Sequence, residues 1–419
     1  MGNLNETPNS SRLQIAILGR RNAGKSSLIN ALTGQQVALV AEEPGTTTDP
    51  VVKAMELLPL GPVALIDTAG IDDRGALGEL RVERTYKVLE RTDLALLVLD
   101  SQSGVSDFEV ELLHKIRSRK IPAVGVVNKV DLAGYDKAKG FQWQEQLQLK
   151  LVEVSAKTGA GIAELKKALI RNAPQDDPGP SLMGDLIRAG DWVVLVIPVD
   201  SAAPKGRLIL PQQQVLREVL DQGGIAITTK EDRLKETLEQ LGRKPAIVIT
   251  DSQAFKKVAA DTPEEIPLTS FSILFARYKG DLLELVRGVK ALKGIQPGDR
   301  VLVAEGCTHH RQCDDIGTVK IPRWLRQLVG GEIKFEWASG RSLPEDLSRF
   351  RLVIHCGGCM LNRREMSYRV ELAKEQGVPI VNYGVFIAYA QGAFPRALRP
   401  FPELKALVEE FQQTGLSMG

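Results

Sequence analysis

Several things are scarce in this 419-residue chain, and each scarcity excludes something. Four cysteines are too few for a disulfide framework. The longest apolar runs, 94–99 and 192–199, fall far short of the ~18 residues of a membrane span, so no membrane association is expected. The polar residues near the start (Asn3, Asn5, Glu6, Asn9) form no apolar signal core, which points to a cytoplasmic protein. An excess of one charge is lacking too: 54 Lys+Arg against 52 Asp+Glu leaves +2, which argues against direct nucleic-acid binding. What remains, 43% hydrophobic and 25% charged, is the mix of an ordinary globular chain of two to four domains.

Apolar runs alternate with helical patterns from 13 to 172. Strands are expected at 13–18, 63–66, 94–99, 123–127 and 151–154, with helices at 25–32, 77–91 and 108–119. Such alternation implies a parallel sheet covered on both faces. Three prolines within 173–180 mark a linker. A second α/β run follows, with strands at 192–199, 225–229 and 246–250, helices at 212–220, 230–241 and 253–260, and one long helix at 273–292. No catalytic spacing occurs there, so packing or self-association is its expected role. A third run has strands at 300–304, 333–337, 352–355 and 379–382 and helices at 324–329, 366–376 and 385–391. No internal repeat is visible. The expected fold is therefore α/β in three domains, 1–173, 181–293 and 294–419.

The run GRRNAGKS at 19–26 follows the first strand and opens a helix, the context that makes G-x-x-x-x-G-K-[ST] a phosphate loop. Asn22, Ala23, Gly24, Lys25, Ser26 and Ser27 should cradle the nucleotide, with Lys25 on the β and γ phosphates and the Ser26 hydroxyl on Mg²⁺. Asp67 opens DTAG after its strand, where such enzymes place the aspartate that organises Mg²⁺. Asn128, Lys129 and Asp131 form NKVD, whose Asp131 carboxylate can accept from the N1–H and 2-amino donors of guanine; adenine presents the opposite polarity at N1. Ser155, Ala156 and Lys157 resemble the loop whose backbone amide meets guanine O6. GTP and GDP are the expected ligands.

These four motifs, in this order, resemble GTPase domains of the Era/MnmE type over 13–172. The resemblance implies that GTTTD at 45–49 is switch I, with Thr47 sensing Mg²⁺ and the γ-phosphate, and makes Lys25, Thr47 and Gly70 the expected catalytic residues. Ile71 stands where Ras-like enzymes orient water with glutamine, so hydrolysis should be slow. Asn22 matches the potassium-coordinating asparagine of MnmE-like domains, which implies K⁺ stimulation; a local turn preference of asparagine is the competing reading.

The four cysteines and three of the four histidines fall within the 53 residues from 307 to 359. Cys307 and His309 follow one expected strand; His355, Cys356 and Cys359 follow another. If the two strands share a parallel sheet, both groups emerge at its carboxyl edge, where open α/β sheets bind ligands. Thiolates with nearby imidazoles suit zinc or an iron–sulfur cluster, and a CxxC can also be a redox pair. Cys313 reads as a spare ligand or a loop thiol.

A GTPase domain followed by C-x-H-x45-H-C-x-x-C is similar to the FeFe-hydrogenase maturation GTPases of the HydF family, over essentially the whole chain. The resemblance implies a central dimerisation domain and a homodimer or larger assembly, with a C-terminal domain binding a 4Fe-4S cluster through Cys307, Cys356 and Cys359. His309 and His355 would each be a fourth ligand or an outer donor. It also implies a carrier of a transient two-iron precursor, with radical-SAM maturases and the immature FeFe-hydrogenase as partners. A zinc-bearing GTPase that assists tRNA or ribosome modification is the alternative.

Overall fold

The central apolar runs become buried strands, and the sequence between them decides which way each strand points. The computed structural model describes residues 7–34, 51–68, 85–174, 181–199, 208–306, 315–340 and 343–413. The chain divides into two compact units, Met1–Asp177 and Pro178–Gly419.

In the first unit, β1 (Leu13–Leu18), β2 (Val51–Leu57), β3 (Gly61–Asp67), β4 (Leu94–Asp100), β5 (Ala123–Asn128) and β6 (Leu151–Glu153) form one sheet in the order β2-β3-β1-β4-β5-β6. Helices α1 (Lys25–Thr33), α2 (Asp107–Ser118), α3 (Lys137–Leu147) and α4 (Ile162–Asn172) accompany it. Alternate residues of β1 serve two cores. Ile15 and Ile17 pack with Leu28, Ile29 and Leu165 of α1 and α4, while Ala16 and Leu18 pack with Leu112 and Ile116 of α2. All neighbours run parallel except β2, which is antiparallel to β3. Sequence reading passed over β2 because Lys53 and Glu56 interrupt its apolar pattern; a short turn joins it to β3, and such a turn can only connect antiparallel strands.

In the second unit, β7 (Trp192–Val196), α5 (Leu210–Asp221), β8 (Ile225–Thr229), α6 (Leu234–Gln240), β9 (Ile247–Thr250), α7 (Phe255–Asp261) and β10 (Leu268–Ser270) alternate, and the strands make a parallel sheet ordered β10-β9-β7-β8. The expected helix at 273–292 is instead three pieces: α8 (Phe271–Lys279), α9 (Leu282–Arg287) and a 3₁₀ segment (Gly288–Gly294). Gly280 ends α8, and the Asp281 side chain caps α9 by accepting from the Glu284 N–H, so a stop and a start signal stand side by side.

A second parallel sheet follows: β11 (Arg300–Glu305), α10 (Ile321–Val329), β12 (Lys334–Ser339), β13 (Leu352–His355), α11 (Arg363–Glu375), β14 (Ile380–Asn382), α12 (Tyr383–Ala390) and α13 (Lys405–Gln413), ordered β12-β11-β13-β14. Numbered within each sheet, both read 2-1-3-4. The repeat is one of topology, which residue-by-residue inspection could not reveal. In each sheet the connections diverge between the first and third strands, the switch point where such sheets open a crevice. One continuous core, including Phe271, Leu274 and Phe275 of α8 and Val353 and Ile354 of β13, joins the two sheets.

Candidate nucleotide and thiol sites

The phosphate loop turns at Asn22 (φ 62°) and Gly24 (φ 85°) before Lys25 opens α1. Gly24 has no substitute, because a Cβ there would lie 2.3 Å from the Asn128 Nδ2. Asn22 is left-handed, a conformation asparagine tolerates better than most residues, so a local reason for it stands beside any ion-binding one. Lys25 is buried, and its Nζ donates to the carbonyls of Gly19 and Arg20 at 2.9 and 2.8 Å. The Ser26 hydroxyl donates to Asp67 Oδ2 at 2.5 Å. Burial raises the Asp67 carboxyl above its usual range, against the Ser26 hydrogen bond and the charges of Lys25 and Lys53. A hydroxyl and a partly buried carboxylate in contact suit a small divalent cation, which would take both oxygens as ligands.

The base-binding loops are tied to the phosphate loop. The buried Asn128 amide donates to the Ala23 carbonyl at 2.9 Å and accepts from the Ala156 N–H at 3.1 Å, so one side chain spans two loops. Lys129 (φ 66°) pairs with Asp100 at 2.7 Å. Ser155 Oγ donates to Asp131 Oδ1 at 2.7 Å, and that bond chiefly holds the exposed Asp131 carboxyl below its usual range. Lys157 is exposed beside them. Ser27 lies exposed in the first turn of α1 and Ala23 is buried under the loop. Thr47, Gly70 and Ile71 lie outside the described residues.

The thiol site stands at the switch point between β11 and β13. These strands are adjacent and parallel, Ala304 pairing with His355, and Cys356 N–H donates to the Ala304 carbonyl at 2.9 Å. Gly306, the last described residue before Cys307, brings its N–H to 3.0 Å from Cys356 Sγ, and the Gly358 N–H reaches the same sulfur at 3.4 Å. Burial pushes the Cys356 thiol up to about 11 against those two donors; it also raises Cys359, opposed by the nearby Lys279. Cys307, His309, His310 and Cys313 lie outside the described residues. Among the described residues no group of three or more His, Cys, Asp or Glu side chains is placed to hold a metal ion.

His355 is fully buried with both ring nitrogens engaged: Nδ1 lies 2.7 Å from the Cys356 carbonyl, and Nε2 lies 3.1 Å from Arg369 Nη1. Arg369 can only donate, so Nε2 accepts and the proton is assigned to Nδ1. Burial, then the arginine charge, pushes the imidazole down to about 3. Arg369 is itself held by Glu365 at 3.0 Å and by the Gly340 carbonyl at 2.7 Å. At the end of β14, beside His355, the buried Asn382 amide nitrogen has no acceptor among the described residues.

Sequence reasoning missed Lys279. It closes α8, is 2% exposed, and donates to the carbonyls of Gly358, Cys359 and Leu361 at 3.3, 2.8 and 2.6 Å. Burial pulls its ammonium down to about 8, with Cys359, Cys356 and Glu365 opposing. The available signal was two cations, Arg277 and Lys279, in an otherwise apolar helix.

A six-stranded, mostly parallel sheet with these four loops at its carboxyl edge defines a P-loop GTPase domain. A family described as 50S ribosome-binding GTPase matches residues 14–129. Two further families match later segments, the hydrogen maturase F dimerization domain at 182–280 and the hydrogen maturase F tetramerization domain at 283–400. The chain thus belongs to the hydrogen maturase F (HydF) type of GTPase. Curated relatives named MnmE match this chain in the GTPase domain. A tRNA modification GTPase MnmE from a Synechococcus strain is 39% identical over 41% of this chain and 36% of its own length, and MnmE from Chromobacterium violaceum is 40% identical over 38% and 34%. The chain therefore spans about a third of the length of these relatives. Among solved structures, Aquifex aeolicus Era bound to GDP·AlF4⁻ is 22% identical, with a TM-score of 0.35, covering 55% of this chain and 98% of that one.

Proposed function

We propose that the chain is a slow GTPase that carries a 4Fe-4S cluster and serves as scaffold or carrier for the two-iron precursor used in FeFe-hydrogenase maturation. The observation that carries this reading is the convergence at one switch point of the CxxC turn and the strand leading to Cys307, with two backbone N–H groups aimed at Cys356 Sγ. Sulfur anions accept such donors, a nearby ammonium offsets their charge, and the unpaired Asn382 amide adds another donor at the same edge. The donor set fits a thiolate-bound cluster. Cys307, Cys356 and Cys359 would hold it, and its chemistry there would be an iron with an exchangeable position for incoming cargo. His355, with both nitrogens engaged, would orient the Cys356 backbone and not ligate.

In the first unit, Lys25 would leave the Gly19 and Arg20 carbonyls for the β and γ phosphates, Ser26 and Asp67 would organise Mg²⁺ with Thr47, and Asp131 would select guanine. Asn22 would bring K⁺ to the phosphates in place of a water-orienting glutamine. Hydrolysis would gate exchange with the radical-SAM maturases and the immature hydrogenase. The dimerization and tetramerization descriptions of the two matched families support a self-associating carrier. Anaerobic reconstitution is the test: a brown chain with about four iron and four sulfide per copy is expected. A colourless chain holding one zinc would reject this reading in favour of a zinc-bearing GTPase of tRNA or ribosome modification.

A further inference from the structure

The thiol turn does not rest on its own sheet alone. Helix α8, which precedes that sheet in the chain, lies beneath it at both ends. At the near end Gly357 packs so closely on Ser272 that an added Cβ would sit 3.2 Å from the Ser272 hydroxyl, which also donates to Asn382 at 3.1 Å. At the far end Lys279 sends its ammonium to the carbonyls of residues 358, 359 and 361, spanning the second cysteine of the motif. An aromatic face, Phe275, also lies beside it, with the ring centroid 5.5 Å away. Among the described residues no carboxylate forms an ion pair with it.

That arrangement is lopsided. A buried ammonium with only neutral acceptors is costly, and a helix-ending lysine could have reached solvent had the fold not required it inside. Of the groups able to carry negative charge, the two sulfurs act on the ammonium most strongly, ahead of Glu365. As thiols they are neutral and leave the cation only Glu365, a carboxylate already paired with Arg369 at 3.0 Å; as metal-bound thiolates they supply a further anion, in a medium where charge interactions are strong. We propose that Lys279 is the positioning residue and counter-charge of the Cys356/Cys359 site, so that a helix outside the ligand-bearing sheet sets how tightly that site holds a thiolate-bound metal. The inference deepens the cluster reading above and rests on it for the identity of the resident metal, though not for the role of the lysine.

The test uses the full chain and two neutral variants, Lys279→Met, which keeps the length of the stem, and Lys279→Gln, which keeps a donor to the carbonyls. Cluster-free protein is titrated with Co²⁺ while the sulfur-to-cobalt charge-transfer band is followed. Both variants should bind cobalt about tenfold more weakly than the native chain, Met no better than Gln. In iron-loaded protein both should shift the cluster midpoint to more negative potential, since a lost cation disfavours the added electron; a purely structural role would lower occupancy and leave the potential where it was. Circular dichroism melting identifies any variant that has lost its fold, and the other variant then decides. Equal cobalt affinity in native and folded variant chains overturns the proposal, as does an unchanged potential or a native chain with no cobalt band. A native chain that binds cobalt through sulfur but never assembles iron and sulfide rejects the cluster reading alone, and the cobalt comparison still judges Lys279.

Discussion

The nucleotide edge of the first unit and the thiol edge of the second solve the same topological problem with opposite materials. Both lie where parallel strands end, and both use a lysine whose ammonium donates to backbone carbonyls: Lys25 to residues 19 and 20, Lys279 to residues 358, 359 and 361. Lys25 belongs to the loop it serves and, in the proposed function, would turn to a phosphate. Lys279 arrives from a helix before the sheet and is enclosed. A transient ligand calls for the first kind of cation; a resident anionic group calls for the second. The nucleotide site is likewise assembled within one sheet by a single bridging amide, Asn128, whereas the thiol site needs two layers of the fold.

The sharpest way to break this comparison is to disable each edge and read the other. Lys25→Ala should lower GTP turnover by at least ~10³-fold, measured as phosphate release, with iron and sulfide content unchanged. Cys356→Ser should do the reverse, abolishing the iron–sulfur absorption while leaving GTP hydrolysis within about twofold. Loss of nucleotide binding in the cysteine variant would mean that the two units are not chemically separate. A smaller effect, about 10²-fold, is expected when Asp131→Asn exchanges guanine for xanthine preference, because an amide can donate to the 2-oxo group where the carboxylate cannot. Competition between GTP and XTP reads it directly. Replacing Na⁺ with K⁺ should raise single-turnover hydrolysis about tenfold if Asn22 holds an ion; equal rates in the two salts would leave only its turn-forming role.

Legibility followed the same division. Strands buried on both faces were visible to the residue: 13–18 and 352–355 are as read from their apolar runs. Elements whose pattern is diluted were not. Edge strand β2 carries Lys53 and Glu56, α3 has only Gly140 and Leu147 buried, and β10 is three residues long. The break in the 273–292 region was written in Gly280-Asp281, but the apolar period on either side masked it. Local motifs gave the nucleotide loops because each of the four is a short contiguous run with its own signature. The thiol edge gave up its cysteines and histidines and hid Lys279, Arg369 and Asn382, since nothing local to residues 355–359 says which distant side chains will reach them.

Arg277 separates what α8 does as a scaffold from what Lys279 does as a charge. One helical half-turn before the lysine, its guanidinium takes Glu403 Oε1 at 2.5 Å and Asp185 Oδ1 at 2.8 Å, clamping the helix to the start and the end of the second unit. Arg277 is 7% exposed, while Asp185 and Glu403 are 45% and 40% exposed. Arg277→Met would therefore free two carboxylates that water can resolvate, and the loss should be modest, about 1–2 kcal/mol by melting at neutral pH. The arginine's hydrogen bond holds Asp185 below its usual carboxylate range, so the stabilisation is present above the unfolded carboxyl value near 3.8 and fades as pH falls through the lower folded value. The gap between native and variant melting should narrow only in that acid window. Cobalt affinity at the thiol turn should not move, because the ammonium and its three carbonyls remain. A variant that lost cobalt affinity in step with its melting temperature would show that helix placement, and not the charge of Lys279, governs the site.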